Sequence, residues 1–282
     1  TLNLLNRNDL KLFCLDIETN QFNYDPLVEF LEDNLGMYVF SRAELDELVD
    51  AGKDRTVALK AVRRLIKTGN PGEKGTGSEL GEILDYCFFE HVLEAPKILS
   101  KYEQVTAGGT YKAQSEGVHL LSVGKAGAPA YQLVYGASGI IDDIQDAIDK
   151  AFEEIAAVSN GQRKERQVVD STVMGRSFDE DTTARLKEIL LPSKTRIPVD
   201  NAYGMFIGYT IGLDPNQYTN DQYRKAVQDK MVLDIQNHVQ YIVDKINSLN
   251  LSRSSFYVYV LPLNKALEDK KEIMDRLLGG DD

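Results

Sequence analysis

Residues 115–120, Ser115-Glu116-Gly117-Val118-His119-Leu120, and residues 133–139, Leu133-Val134-Tyr135-Gly136-Ala137-Ser138-Gly139, decide how the rest of the chain is read. Each is a short apolar run entered or left through glycine, the pattern of a strand bounded by turns. Strands are therefore expected over residues 118–123 and 131–135, and a third over 97–103. Ahead of them Ser78 opens a helix to about Leu93, with Leu80, Ile83, Leu84, Cys87, Phe88 and Val92 on one broad face. Behind them a second helix is expected over residues 142–158. The order is helix, strand, strand, strand, helix.

Towards the N-terminus, a strand over residues 10–15 precedes a largely helical region. Asp25-Pro26 supplies an N-cap and a first-turn proline for a helix to about Asn34. Ser41, with Glu44 three residues on, has the form of a capping box for a helix to about Val49. A third helix over residues 53–67 places Ala58, Ala61, Val62, Leu65 and Ile66 on one side and its basic residues around the other. Towards the C-terminus, residues 159–167 read as a linker. Helices follow over 180–191, 221–249 and 265–278, alternating with aromatic strands over 203–211 and 256–263 that read as core. The chain divides into a helical region (1–70), a core (71–160) and a C-terminal α/β extension (161–282) that is either a second domain or part of the same one. The fold class is α/β, of mixed α+β character, with a mixed sheet flanked by helices.

Composition narrows the function. No run of apolar residues approaches the roughly 20 that a membrane helix needs. Cys14 and Cys87 sit in apolar surroundings and read as buried thiols of a reducing compartment. With no secretion signal at Thr1, the cytoplasm is the expected location. A formal net charge of -12 argues against a free-standing binder of nucleic acid, because neutralising phosphates takes clustered cations. Two local exceptions are residues 53–67, where Arg63, Arg64 and Lys67 are the candidate DNA contacts, and Arg163, Lys164 and Arg166. The glycine-rich residues 69–77 lack both GxxxxGK[ST] and GxGxxG and follow a helix, so nucleotide binding is not expected there.

Helix-strand-strand-strand-helix is the order of the restriction-endonuclease core, whose motif is written PD-(D/E)xK. That chemistry needs an acid opening one strand, then an acid and a lysine two residues apart on the next, where period-2 alternation puts both on one face. The acids are hard oxygen ligands for Mg2+; the lysine orients the attacking water and opposes developing charge. Glu116 opens a strand here, and Glu79 and Glu82 lie one turn apart on the preceding helix. Ala137 and Gly139 stand in the acid and lysine positions, and neither can bind a metal or stabilise charge.

At these residues the chain resembles HamA, the nuclease-subunit family of Hachiman anti-phage systems. The similar stretches are residues 77–84, residues 90–93 with Ala95-Pro96-Lys97, residues 116–119, residues 133–136 and, near the C-terminus, residues 270–274. The resemblance implies a metal-dependent DNase restrained by a superfamily 2 helicase, HamB, until damaged or phage DNA is met. It implies Glu116 and Glu79 as metal ligands, with Glu82 as the other candidate supporting acid, and Mg2+ as cofactor of the active form. His119 is then a neighbour of the site or a core histidine, and His91 and His238 are structural. Family members carry Glu and Lys where this chain has Ala137 and Gly139, so a catalytically silent effector is expected, its Mg2+ binding weakened. An inactivating replacement and a naturally degenerate effector both fit, and a non-catalytic adaptor for a helicase or DNA is the alternative.

Overall fold

The computed structural model describes residues 8–68, 77–100, 117–124, 128–168, 186 and 199–279. Its elements run β1 (Asn8–Leu12), β2 (Ile17–Glu18), β3 (Gln21–Phe22), α1 (Asp25–Val39), α2 (Arg42–Asp50), a 3-10 turn (Asp54–Thr56) and α3 (Val57–Thr68). They continue α4 (Glu79–His91), β4 (Lys97–Ser100), β5 (Gly117–Ser122), β6 (Tyr131–Ile140), α5 (Ile144–Val168) and β7 (Val199–Thr210). A 3-10 turn (Pro215–Gln217), α6 (Asn220–Ser248), β8 (Ser255–Leu263) and α7 (Ala266–Leu277) complete the series. Six strands form one mixed sheet in the order β1-β8-β7-β6-β5-β4. β4, β5 and β6 are an antiparallel meander, while β7 joins β6, β8 joins β7 and β1 joins β8 in parallel.

Strand alternation sorts the core into two layers. Ser138 of β6, Gly204 and Phe206 of β7 and Tyr259 of β8 face α4, where Phe88 stacks on Phe206 and Tyr259. α1 and α7 pack beside α4. On the opposite face α5 lies on β6 and β7, with Phe152 against Phe256 and Phe256 against Tyr203. α6 covers the same side, its Asp234 accepting from the Tyr209 hydroxyl and its Tyr241 and Lys245 bonding Asp149 of α5. The aromatic strands β7 and β8 are core, as expected.

Several expectations need correcting. Residues 159–167 are not a linker, because α5 continues through them to Val168. β6 runs to Ile140 rather than ending at Tyr135, since β7 pairs with it over its whole length. α1 continues past Asn34 to Val39, because Leu35, Tyr38 and Val39 extend its buried face. The basic helix starts at Val57 after a 3-10 turn; Ala61 and Leu65 are buried and Val57 and Val62 pack against the core, whereas Ala58 and Ile66, expected on the apolar side, are exposed. Cys14 is exposed rather than buried: the chain leaves the edge strand at Phe13, which packs on Phe88, and alternation turns Cys14 outward. Cys87 is buried, which pushes its thiol up to about 12. The capping box of Ser41 and Glu44 is formed, whereas Ser78 makes no side-chain cap bond. Glu116, residues 69–76, 101–103 and, apart from Leu186, 180–191 lie outside the described residues, as do the side chains of Arg163, Lys164 and Arg166.

Candidate active site

The β5 register ends at Val118 opposite Tyr135, but the β7 register continues to Ile140 opposite Gly208. Among the described residues, Gly136–Ile140 are therefore paired through β7 alone, leaving a strand edge on the β5 side. Two close helix approaches frame this edge. Gly81 brings α4 onto Ser138, and a Cβ there would overlap the Ser138 side chain. Gly139 brings α5 onto the other face, and a Cβ there would overlap the Ala147 carbonyl. Ala137, two residues away, shares that face and is 1% exposed.

Around the edge opens a cleft of about 190 Å³ lined by Glu82, Ser138, Gly139, Lys150, Glu154 and Lys270, among others. Glu154 reaches over from α5: its Oε2 accepts the Ser138 backbone N–H at 3.3 Å and its Oε1 pairs with Lys150 at 3.2 Å. Lys270 of α7 donates to the Ile140 carbonyl at 3.1 Å, and burial lowers its ammonium's pKa. Glu82, buried on α4, accepts from the Tyr38 hydroxyl at 3.0 Å. Of the two expected helix acids, Glu82 thus lines the cleft, whereas Glu79, beside Ser78, is not among its lining residues.

Inward of Glu82 lies a polar cluster formed with Tyr38, Asp85, Tyr86, Lys97 and His119. Lys97 is buried, and its ammonium donates to the carbonyls of Met37, Tyr38 and Phe40 at 2.8, 3.1 and 2.9 Å. Those carbonyls lie at the C-terminal end of α1, where partial negative charge accumulates and a cation is favoured. His119 hydrogen-bonds the Ala95 carbonyl through Nδ1 at 2.8 Å and packs edge-on to Phe89. Burial pushes its pKa down to about 3, despite that bond, so the ring is neutral and His119 belongs to the core. His91 bonds Asn34 at the surface, and His238 bonds the backbone one turn back on α6.

The expected DNA-contact residues separate. Arg63 and Lys67 are exposed on α3. Arg64 pairs with Glu44 at 2.9 Å and lies over the Phe40 ring, which fixes α3 against α2. Sequence reasoning missed Lys150, Glu154 and Lys270. Lys150 and Glu154 have the i,i+4 spacing of an ordinary surface pair, and only the packing of α5 on Gly139 carries them to the cleft.

A three-strand meander feeding a parallel fourth strand, flanked by helices on both faces and with a charged cleft where β6 overhangs β5, matches a restriction-endonuclease-like α/β core. The HamA family model matches residues 1–277, and the chain belongs to the HamA family, which gives it a role in Hachiman anti-phage defence. No curated protein and no solved structure matches it.

The metal expected of the family's active form does not fit the described residues. Among them no three His, Cys, Asp or Glu side chains converge to hold a metal ion. Ala137 offers no side-chain oxygen, and in the described lining of the cleft two lysines accompany the two carboxylates.

Proposed function

We propose that this chain is the nuclease-type subunit of a helicase-coupled anti-phage complex, of the class that cuts DNA phosphodiesters with a divalent metal, and that it is itself hydrolytically silent. The observation that supports this reading is that Gly139, one of the two positions where the resemblance puts the family's acid and lysine, lines the cleft, with Ala137 buried two residues away on the same strand. Ala137 and Gly139 lie on the β6 segment that overhangs β5, and Gly139 contributes to the cleft wall. Removing one preorganised electrostatic group typically lowers a rate by roughly 100- to 1,000-fold. Loss of a metal ligand together with the lysine leaves almost nothing, although such losses do not add. Mg2+ is the cofactor of the active form in this reading, and its binding is weakened here. Glu116 and Glu79 are the acids to which the resemblance gives metal ligation in the active form, and Glu82 is the one of the two helix acids that lines the cleft here.

The partner is the superfamily 2 helicase HamB, and the setting is the cytoplasm; no helix among the described residues is long and apolar enough to cross a membrane. With a net charge of -12, the chain reaches DNA largely through that complex. A second reading, a non-catalytic adaptor for helicase or DNA, is favoured by the seating of α5 directly on Gly139, which leaves no room for a longer side chain. Co-expression of the chain with a HamB helicase tests the partnership: a stable complex that binds DNA more tightly than the chain alone is expected. Failure to co-purify overturns it.

A further inference from the structure

Lys270 lines the cleft with its position set at both ends. At the backbone, Gly77 (φ +74°) packs so closely on the Lys270 carbonyl and the Lys271 N–H that a Cβ there would overlap them, which holds α7 against the start of α4. At the tip, the ammonium donates across to the Ile140 carbonyl of β6, one residue beyond Gly139. A lysine tethered in this way has lost much of its rotamer freedom before any ligand arrives. Its charge has little company. An ammonium has three donors and the Ile140 carbonyl takes one; among the described residues no carboxylate lies within ion-pairing distance of it. Asp142, the acid that acts on it from further off, is occupied by the Thr210 hydroxyl and the Leu267 N–H. Lys150 acts on it from α5 as a like charge, and an oxyanion between the two relieves that repulsion.

We infer that Lys270 contacts a phosphate of the DNA backbone in this cleft, so that a chain unable to hydrolyse DNA still holds it at the silent site. This rests on the reading of the cleft as the degenerate nuclease site. Nothing in the contact depends on the side chains at positions 137 and 139. The two tethers of Lys270 run to Gly77 and to the main-chain carbonyl of Ile140, and both are independent of what replaces the acid and the lysine. A lysine meets phosphate as a point charge, and a phosphate contact fixes register without reading bases. Lys270 therefore positions the strand and does not choose its sequence.

A fluorescein-labelled DNA duplex serves as the probe. It is bound to the full chain at several salt concentrations, starting at low ionic strength, and read by fluorescence anisotropy beside thermal unfolding without DNA. Lys270→Gln is expected to weaken binding roughly tenfold and to flatten the slope of log affinity against log salt by about one, equally for duplexes of unrelated sequence. Lys270→Arg keeps the charge and should restore both. A role confined to packing α7 on β6 would lower the unfolding temperature of Lys270→Gln and leave affinity and salt slope at the parent values, which overturns the inference. A parent chain that binds no DNA even at low salt overturns it as well. Inorganic phosphate separates a small anion from DNA: stabilisation by phosphate that Lys270→Gln abolishes, with DNA affinity unchanged, would assign the cation to the small anion and overturn the inference. The Ala137→Glu, Gly139→Lys reversion tests the reading beneath. If the reversion cuts plasmid while Lys270→Gln changes no affinity, the cleft remains the degenerate site and the role given to Lys270 falls. If Lys270→Gln loses affinity and the reversion cuts nothing, the phosphate contact stands and the nuclease reading falls.

Discussion

His119 carries a burial penalty that pH can expose. The ring is neutral in the folded chain, with a pKa near 3, against an ordinary value of 6.5. Between those values the unfolded chain binds a proton that the folded chain refuses, so stability is full above about pH 6.5 and is lost as pH falls towards 3. One such group contributes a slope approaching about 1.4 kcal/mol per pH unit inside that window. Urea unfolding of the parent and of His119→Asn at pH 7 and pH 4.5 measures it. The variant, whose amide can still donate to the Ala95 carbonyl, is expected to lose less stability on acidification; an identical loss would mean that the ring does not titrate as described. Gly139 matters at the same scale. A side chain there meets the Ala147 backbone, and backbone cannot swing away as a flexible side chain can, so a lysine at 139 requires α5 to move.

At the scale of elements, the basic character of α3 divides between contact and support. Arg63 and Lys67 face solvent, while Arg64 pairs with Glu44, whose carboxyl lies below its ordinary range: burial pushes it up, but the Ser41 N–H and Arg64 outweigh that. Arg63→Glu with Lys67→Glu should therefore weaken DNA binding by the complex and flatten its salt dependence while leaving thermal unfolding nearly unchanged. Arg64→Glu should lower the unfolding temperature, because it sets two carboxylates against each other. Fluorescence anisotropy at several salt concentrations, beside a thermal melt, separates the two; unchanged affinity in the double variant would return α3 to ordinary surface. The helices and strands were readable from sequence wherever periodicity was strong, as in α4, α6 and β8. They were misjudged where polarity misled. Residues 159–167 look like a linker because Ser159, Asn160 and Gly161 are poor helix formers, yet α5 runs through them.

At the scale of the molecule, the sheet joins what the sequence divides. β1 from the N-terminal region pairs with β8 from the C-terminal extension, and β7 joins that extension to the meander. Such pairings link residues some 250 positions apart, and local pattern carries no information about them. The candidate site was legible in part for the same reason. Positions 137 and 139 were singled out by the resemblance, whose acid and lysine fall two residues apart on one strand; the sequence alone carried only the strand itself. Lys150, Glu154 and Lys270 could not be located, because their arrival at the cleft depends on how α5 and α7 cross the sheet. The central claim, a HamA chain whose own hydrolytic step is silent, is tested most directly on supercoiled plasmid with Mg2+ and the helicase-bound chain, beside the Ala137→Glu, Gly139→Lys double reversion. The account predicts intact plasmid with the parent and degradation with the reversion. Metal-dependent degradation by the parent at the rate of the reversion would contradict it.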